Sequence, residues 1–209
     1  MLVRKENLSN NCLLGVWEMT ESVEELLSLF PETLRDKAQK HVKGIKSVKR
    51  ATEWLSVRLM LYLLLNEEKI VHHHRDGRPY LTDRSFNVSI SHTRNHAAIL
   101  IHPSKNVGID IEEISDRVYR VASKFVSQDE YIDPHHEKIH LLLHWSAKET
   151  IFKLLEESEI DFKHHLHLSK FIPEAKGTFQ ATESKTPLQR RFEIAYEVHP
   201  EYVLTWSCC

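Results

Sequence analysis

The chain has 209 residues, of which 41% are hydrophobic and 28% charged, with only 5 Gly and 7 Pro. That balance excludes a largely disordered chain and predicts one large domain or two small halves sharing a core. A net charge of −2 offers no global attraction to nucleic acid or an anionic membrane, so any anion binding must come from local clusters. The longest apolar run, 59–65, falls far short of the roughly 20 residues a membrane span needs. The N-terminal MLVRKENLSNN lacks the apolar core of a signal peptide, and Cys12, Cys208 and Cys209 make a poor disulfide framework. These features predict a cytoplasmic protein that binds neither nucleic acid nor membrane.

In chain order, 12–18 reads as a strand, 22–30 as a short helix and the stretch after Pro31 as another. Residues 47–66 give the first strong helix signal. Val48, Ala51, Leu55, Leu59 and Tyr62 recur at helical spacing, and Lys49, Arg50, Glu53 and Arg58 lie on the polar side. Strands at 71–75 and 78–81 flank Asp76-Gly77, a pair that favours a type I′ hairpin. Phe86, Val88 and Ile90 alternate with Asn87, Ser89 and Ser91 as in a half-buried strand, and 97–101 is apolar throughout, as in a central one.

The second half opens with a strand at 107–111 and a helix at 116–125 capped by Ser115 or Asp116. A long helix at 138–155 follows, then strand-like segments at 192–198 and 202–206. Each half, 1–105 and 106–209, thus holds one long helix and several mostly antiparallel strands, an α+β plan. The order of elements suggests a duplication, although no residue-level repeat is present. Fifteen histidines include His140 and His144, four apart on a helix. A zinc pair is one reading, but no Glu follows His140 and no cysteine pair completes a site, so solvated or locally bonded histidines are the plainer one.

Four stretches carry chemistry. In Gly108-Ile109-Asp110-Ile111-Glu112, strand alternation puts both carboxylates on one face. They repel unless a cation sits between them, and Mg²⁺ prefers such oxygen ligands. A solvated acidic edge accounts for this segment equally well. In the helix 138–155, Trp145, Glu149 and Lys153 form one stripe bordering the buried side, while Lys148 is expected to face away. Glu149 offers a third ligand and Lys153 a phosphate partner; an ordinary Glu–Lys pair is the alternative. Ser91-His92-Thr93 ends a strand with donors suited to a phosphate or, as plainly, to its own turn. Arg78 leaves the hairpin turn with its side chain expected free, either for a phosphate or for solvent.

Taken in order, Gly77-Arg78-Pro79-Tyr80, Ile90-Ser91-His92-Thr93, the 108–112 stretch and Trp145-Ser146-Ala147-Lys148-Glu149-Thr150-Ile151-Phe152-Lys153 resemble the motifs of the 4′-phosphopantetheinyl transferases. The likeness is to the longer, single-chain pseudodimeric type that activates fatty-acid, polyketide and peptide synthases. It covers roughly 45–160, including the arginine-bearing helix segment 53–58. Departures are small: Thr93 for a second Ser, Thr150 for Ala, and Arg78 where Lys is commoner.

The resemblance implies a pseudodimer of two similar halves with the active site at their interface, acting as a monomer. It implies transfer of phosphopantetheine from coenzyme A to a serine of an apo acyl or peptidyl carrier protein, with release of 3′,5′-ADP. Asp110, Glu112 and Glu149 would hold Mg²⁺. Lys153, His92 and Ser91 would contact phosphates, Arg58 and Arg78 the nucleotide phosphates, and Glu149 would accept the serine proton. The basic stripe Arg117, Arg120 and Lys124 would receive an acidic carrier, although a solvated helix face is the usual meaning of such charges. Two other readings stay open: a non-catalytic module binding coenzyme A or a carrier, and a metal-dependent phosphate hydrolase.

Overall fold

The first unit of the chain, Met1–Ser104, is built from β1 (Leu2–Asn7), β2 (Leu13–Glu18), α1 (Val23–Leu29), α2 (Glu32–Val42), α3 (Val48–Leu65), β3 (Val71–His73), β4 (Pro79–Leu81), β5 (Asn87–His92) and β6 (His96–His102). This computed structural model describes every residue except 9, 10, 156 and 158. Four strands form an antiparallel sheet in the order β1-β2-β6-β5, and β3 pairs with β4. The continuous apolar run of β6 is explained by its place between β2 and β5, where it is buried along its whole length. Helix α3 is capped by Ser47, whose hydroxyl accepts the Arg50 N–H, and ends on Asn66 in the left-handed conformation. Its Leu55, Leu59 and Met60 share one core with Trp17, Ile99 and Ile101.

The second unit, Lys105–Cys209, comprises β7 (Val107–Glu113), α4 (Arg117–Val121) running into a single 3-10 turn (Ala122–Lys124), α5 (Glu137–Leu154), α6 (Phe162–His165), β8 (Leu166–Leu168), β9 (Lys176–Glu183), β10 (Arg191–Val198) and β11 (Tyr202–Cys208). The five strands form an antiparallel sheet in the order β7-β11-β10-β9-β8. Helix α5 packs across β7 and β11. Its Leu143, Ala147 and Ile151 join Ile194, Val203 and Phe179 in the core.

The structure is α+β in both units, as the periodicities indicate. It departs from the sequence reading at several places. Strand β1 escaped notice because its Arg4-Lys5-Glu6 segment lacks an apolar run; it is an edge strand with mostly exposed side chains. The turn at Asp76-Gly77 is not type I′, since Gly77 has a positive φ of 88° but Asp76 does not. The connection instead spans 74–78. His74 packs at a tilt against Tyr80, with ring centroids 4.4 Å apart, and the Asp76 carboxylate accepts the Arg78 backbone N–H. The helix expected at 116–125 shortens to five residues before tightening into the 3-10 turn. Cys209 is a free, exposed thiol.

One glycine sets the distance between helix and sheet where the acidic strand lies. A Cβ on Gly108 would strike the Thr150 carbonyl oxygen and approach Leu154 Cγ to 2.8 Å. Only a residue without a side chain lets β7 lie this close beneath α5. Gly108→Ala should therefore destabilise the protein by about 1–3 kcal/mol through overpacking, and a urea midpoint equal to wild type would contradict that close approach.

Candidate active site

Helix α5 and strand β7 bring three acids of the second unit into one electrostatic neighbourhood. Asp110 is buried, its side chain 5% exposed, and its Oδ1 accepts a 2.8 Å bond from the Lys153 ammonium. Lys153 also donates to the Ile109 carbonyl at 2.8 Å. That uses two of its three N–H groups, and no further hydrogen bond to it occurs among the described residues. Glu112, two residues on, accepts a 2.7 Å bond from the Trp145 indole at Oε1. Burial pushes the Glu112 carboxyl up to about 7; Asp110 and Glu149 add like-charge repulsion, against the indole bond and Lys153. Glu149 is likewise pushed up to about 7, by burial first and then by the Asp110 charge, against Lys153.

The three acids thus feel one another, with one lysine among them. Among the described residues they do not place one oxygen each within 4.8 Å of the others, as expected of like charges standing apart. A divalent cation fits this donor set. It is all oxygen and short of positive charge, and it can close only if a cation offsets the repulsion.

The phase of α5 that presents Glu149 is fixed by the residue beside it. Lys148 is fully buried rather than facing away. Its ammonium donates to the Phe125 carbonyl (2.6 Å), to Glu130 Oε2 (2.7 Å) and to the Phe162 carbonyl (3.0 Å). Glu130 in turn accepts the backbone N–H groups of Ser127 and Leu168, both at 2.9 Å. On the sheet side of the helix, Ser146 and Thr150 hydroxyls meet Thr205 Oγ1 at 2.9 and 2.7 Å. These small polar residues are what allow helix and sheet to approach.

The first unit holds a cavity of about 890 Å³ whose lining includes Lys46, Arg50, Glu53, Trp54, Arg58 and His92. Arg58 lies 4.6 Å over the Trp54 ring, which stacks on His41 at 4.1 Å. Burial pushes the Arg58 guanidinium down to about 10. His92, half-exposed, reaches Glu53 at 3.5 Å. Lys46 was not singled out from sequence, and Arg50 was read only as part of the polar side of the helix, yet Arg50 stands eight residues before Arg58 on the same stripe, a signal available in the spacing.

Not every expected residue lines that cavity. Arg78 is not free: its Nε donates to Asp76 Oδ2 at 2.8 Å, and it is absent from the cavity wall. Ser91 is largely buried in β5. Thr93 spends its hydroxyl on the backbone N–H groups of Asn95 and His96, the turn role that its position allowed. His140 and His144 are buried against Phe171. Burial holds His140 down to about 4 and pulls His144 below its ordinary value, so both are neutral core rings at neutral pH.

Residues 106–207 match the family model of the 4′-phosphopantetheinyl transferase superfamily. By its second unit, the chain belongs to that superfamily. No curated protein sequence matches the chain. The matched segment contains all three acids, Lys153 and the α4 stripe. As a phosphopantetheinyl transferase the chain is an enzyme of a class that uses coenzyme A and a divalent metal and acts on carrier proteins. Among the described residues no helix is long and apolar enough to cross a membrane.

The Glu130–Lys148 pair makes stability pH-dependent. Burial raises the Glu130 carboxyl, but the nearby His144 ring, 3.6 Å away, the charge and bond of Lys148 and the Ser127 backbone N–H outweigh it and hold it at about 2, below its ordinary 4.5. For Lys148 burial wins instead and lowers the ammonium from its ordinary value. The acid response is carried by Glu130. Its contribution is complete above about pH 4.5 and lost as pH falls toward 2. Glu130→Gln should cost about 3–5 kcal/mol at pH 7, because it strands a buried ammonium, and its deficit against wild type should shrink below pH 4.5. Urea unfolding across that range checks this; a pH-independent deficit would rule it out.

Proposed function

We propose that this transferase moves the 4′-phosphopantetheine arm of coenzyme A to a serine hydroxyl of an apo acyl or peptidyl carrier protein, releasing 3′,5′-ADP, as a holo-carrier synthase of the longer pseudodimeric type. The observation that carries the reading is the crowding of Asp110, Glu112 and Glu149, two of them pushed up to about 7, around a single lysine. Asp110, Glu112 and Glu149 would hold the metal, Mg²⁺ by the chemistry of the ligands. When bound, such a cation supplies Lewis-acid stabilisation to pyrophosphate oxygens.

The chain's own residues account for the rest. The serine oxygen forms a new bond to phosphorus as the bond to the 3′,5′-ADP oxygen breaks, and the serine proton needs an acceptor. Glu149 is a carboxylate whose buried setting tunes it toward neutral pH, the range in which a base both takes and returns a proton. Lys153 stays anchored to Asp110 and the Ile109 carbonyl, and its third N–H serves a phosphate oxygen. In the first unit, Lys46, Arg50, Arg58 and His92 supply donors for the nucleotide phosphates, with Trp54 as an aromatic wall. Arg78, bound to Asp76, supports the hairpin rather than a phosphate. The exposed Arg117, Arg120 and Lys124, with Val118 and Phe125 buried behind them, form the face for an acidic carrier.

Mass spectrometry of an apo carrier incubated with the protein, coenzyme A and Mg²⁺ tests the reaction. The carrier should gain one phosphopantetheine; breakdown of coenzyme A without a change in the carrier would establish a hydrolase instead. Asp110→Asn should lose more than about 100-fold in rate with its circular dichroism unchanged.

The two recognition surfaces separate kinetically. Arg50→Ala should raise KM for coenzyme A by about tenfold or more, the worth of a charge-assisted bond, and leave KM for the carrier alone. Arg120→Glu should do the reverse. If Arg120→Glu moves only the coenzyme A constant, the α4 face is not the docking surface.

A further inference from the structure

The stripe of α5 that carries Glu149 carries two donors at equal distance along the helix, Trp145 four residues before and Lys153 four residues after. Each binds one oxygen of an acid on β7: Lys153 takes Asp110 Oδ1 at 2.8 Å and Trp145 takes Glu112 Oε1 at 2.7 Å. An indole N–H is a donor that cannot ionise and cannot accept, so it fixes orientation without neutralising the acid. The ring is itself held, edge-on to Phe125 at 5.3 Å and against Phe162 at 5.5 Å between centroids. Phe125 is fully buried, and its carbonyl accepts from Lys148. The indole is therefore set by a rigid surround, and no other hydrogen bond to the Glu112 side chain occurs among the described residues.

We infer that Trp145 is a positioning residue that keeps Glu112 a one-oxygen donor and thereby selects a small octahedral cation over calcium; the inference rests on the metal reading above. With Oε1 engaged by the indole, Glu112 has Oε2 to offer. Calcium accommodates six to eight oxygens and readily takes a carboxylate through both, whereas magnesium demands near-octahedral single-oxygen donors. A carboxylate prevented from turning both oxygens inward penalises the larger ion. Loss of an outer hydrogen bond to a ligand typically changes metal affinity by about 10–100-fold. Trp145→Phe removes the N–H and keeps a ring against Phe125 and Phe162.

The test is competition of Mg²⁺ and of Ca²⁺ against Mn²⁺, read by the electron paramagnetic resonance signal of free Mn²⁺ over the whole protein. Wild type should bind Mn²⁺ and favour Mg²⁺ over Ca²⁺. Trp145→Phe should narrow that preference by about tenfold, with its thermal midpoint in EDTA close to wild type. Glu112→Asp, too short to reach the indole, breaks the same bond from the other side and should narrow it too; it decides the matter if Trp145→Phe does not fold. A preference unchanged in the folded variant overturns the role given to Trp145 and leaves the metal site standing. Absence of Mn²⁺ binding to wild type overturns the metal reading itself, and this inference with it.

Discussion

Repulsion among the buried Asp110 and the half-buried Glu112 and Glu149 is the constraint around which the second unit is arranged. A carboxylate is costly to keep charged away from water; burial raises Glu112 and Glu149, and neighbouring charge, from Asp110 on both and from Glu149 on Glu112, raises them further. A chain selected for stability alone would place apolar residues at such positions. Here the surroundings keep the acids usable rather than neutralised. One lysine pairs with Asp110, one indole steadies Glu112, and Glu149 is raised by burial and the Asp110 charge with only the charge of Lys153 against them. Lys153 and Trp145 orient these carboxylates or compensate them only in part, which is the setting the proposed metal would complete.

Both long helices bear the residues of the proposed sites on a single stripe of positions four apart. In α3 it runs Arg50, Trp54, Arg58, and in α5 Trp145, Glu149, Lys153. A stripe of this kind drifts only slowly around a helix, so three side chains about 6 Å apart along the axis face one neighbour. In each, the aromatic member packs against protein and touches a charged one. Trp54 lies beneath the Arg58 guanidinium, and Trp145 donates to Glu112. The aromatic residues thus add stiffness where long charged side chains alone would wander.

The elements that were legible in the sequence are those whose burial is periodic. Helices α3 and α5 and strands β5, β6 and β7 follow from the spacing of their apolar residues and fall within a residue or two of the expected bounds. Strand β1 did not, because an edge strand with solvated side chains carries little hydrophobic pattern. The local geometry of 74–78 was missed because the Asp-Gly pair is only a preference, here overridden by the Asp76–Arg78 bonds and the packing of His74 against Tyr80. For the acids, strand and helix periods placed Asp110 with Glu112, and Glu149 at the margin of the core. What joins the two groups is a tertiary fact, the close approach at Gly108, which no local spacing contains.

The misreading of Lys148 shows why charge is a poor guide to exposure. On pattern alone it belongs outside, since ammonium groups are rarely buried unless paired. Its partner Glu130 is 18 residues away in sequence, in a segment without regular structure, so nothing local announces the pair. Such a pair gains little stability over an apolar substitute, and its value lies in geometry. A leucine at 148 could fill the space in several rotations of α5, whereas three acceptors around one ammonium, from Phe125, Glu130 and Phe162, admit one. Because Glu149 is the next residue, an angular error at Lys148 becomes a displacement of the third acid. The buried pair converts helix packing, which tolerates slippage, into a fixed rotational setting for the stripe that faces β7.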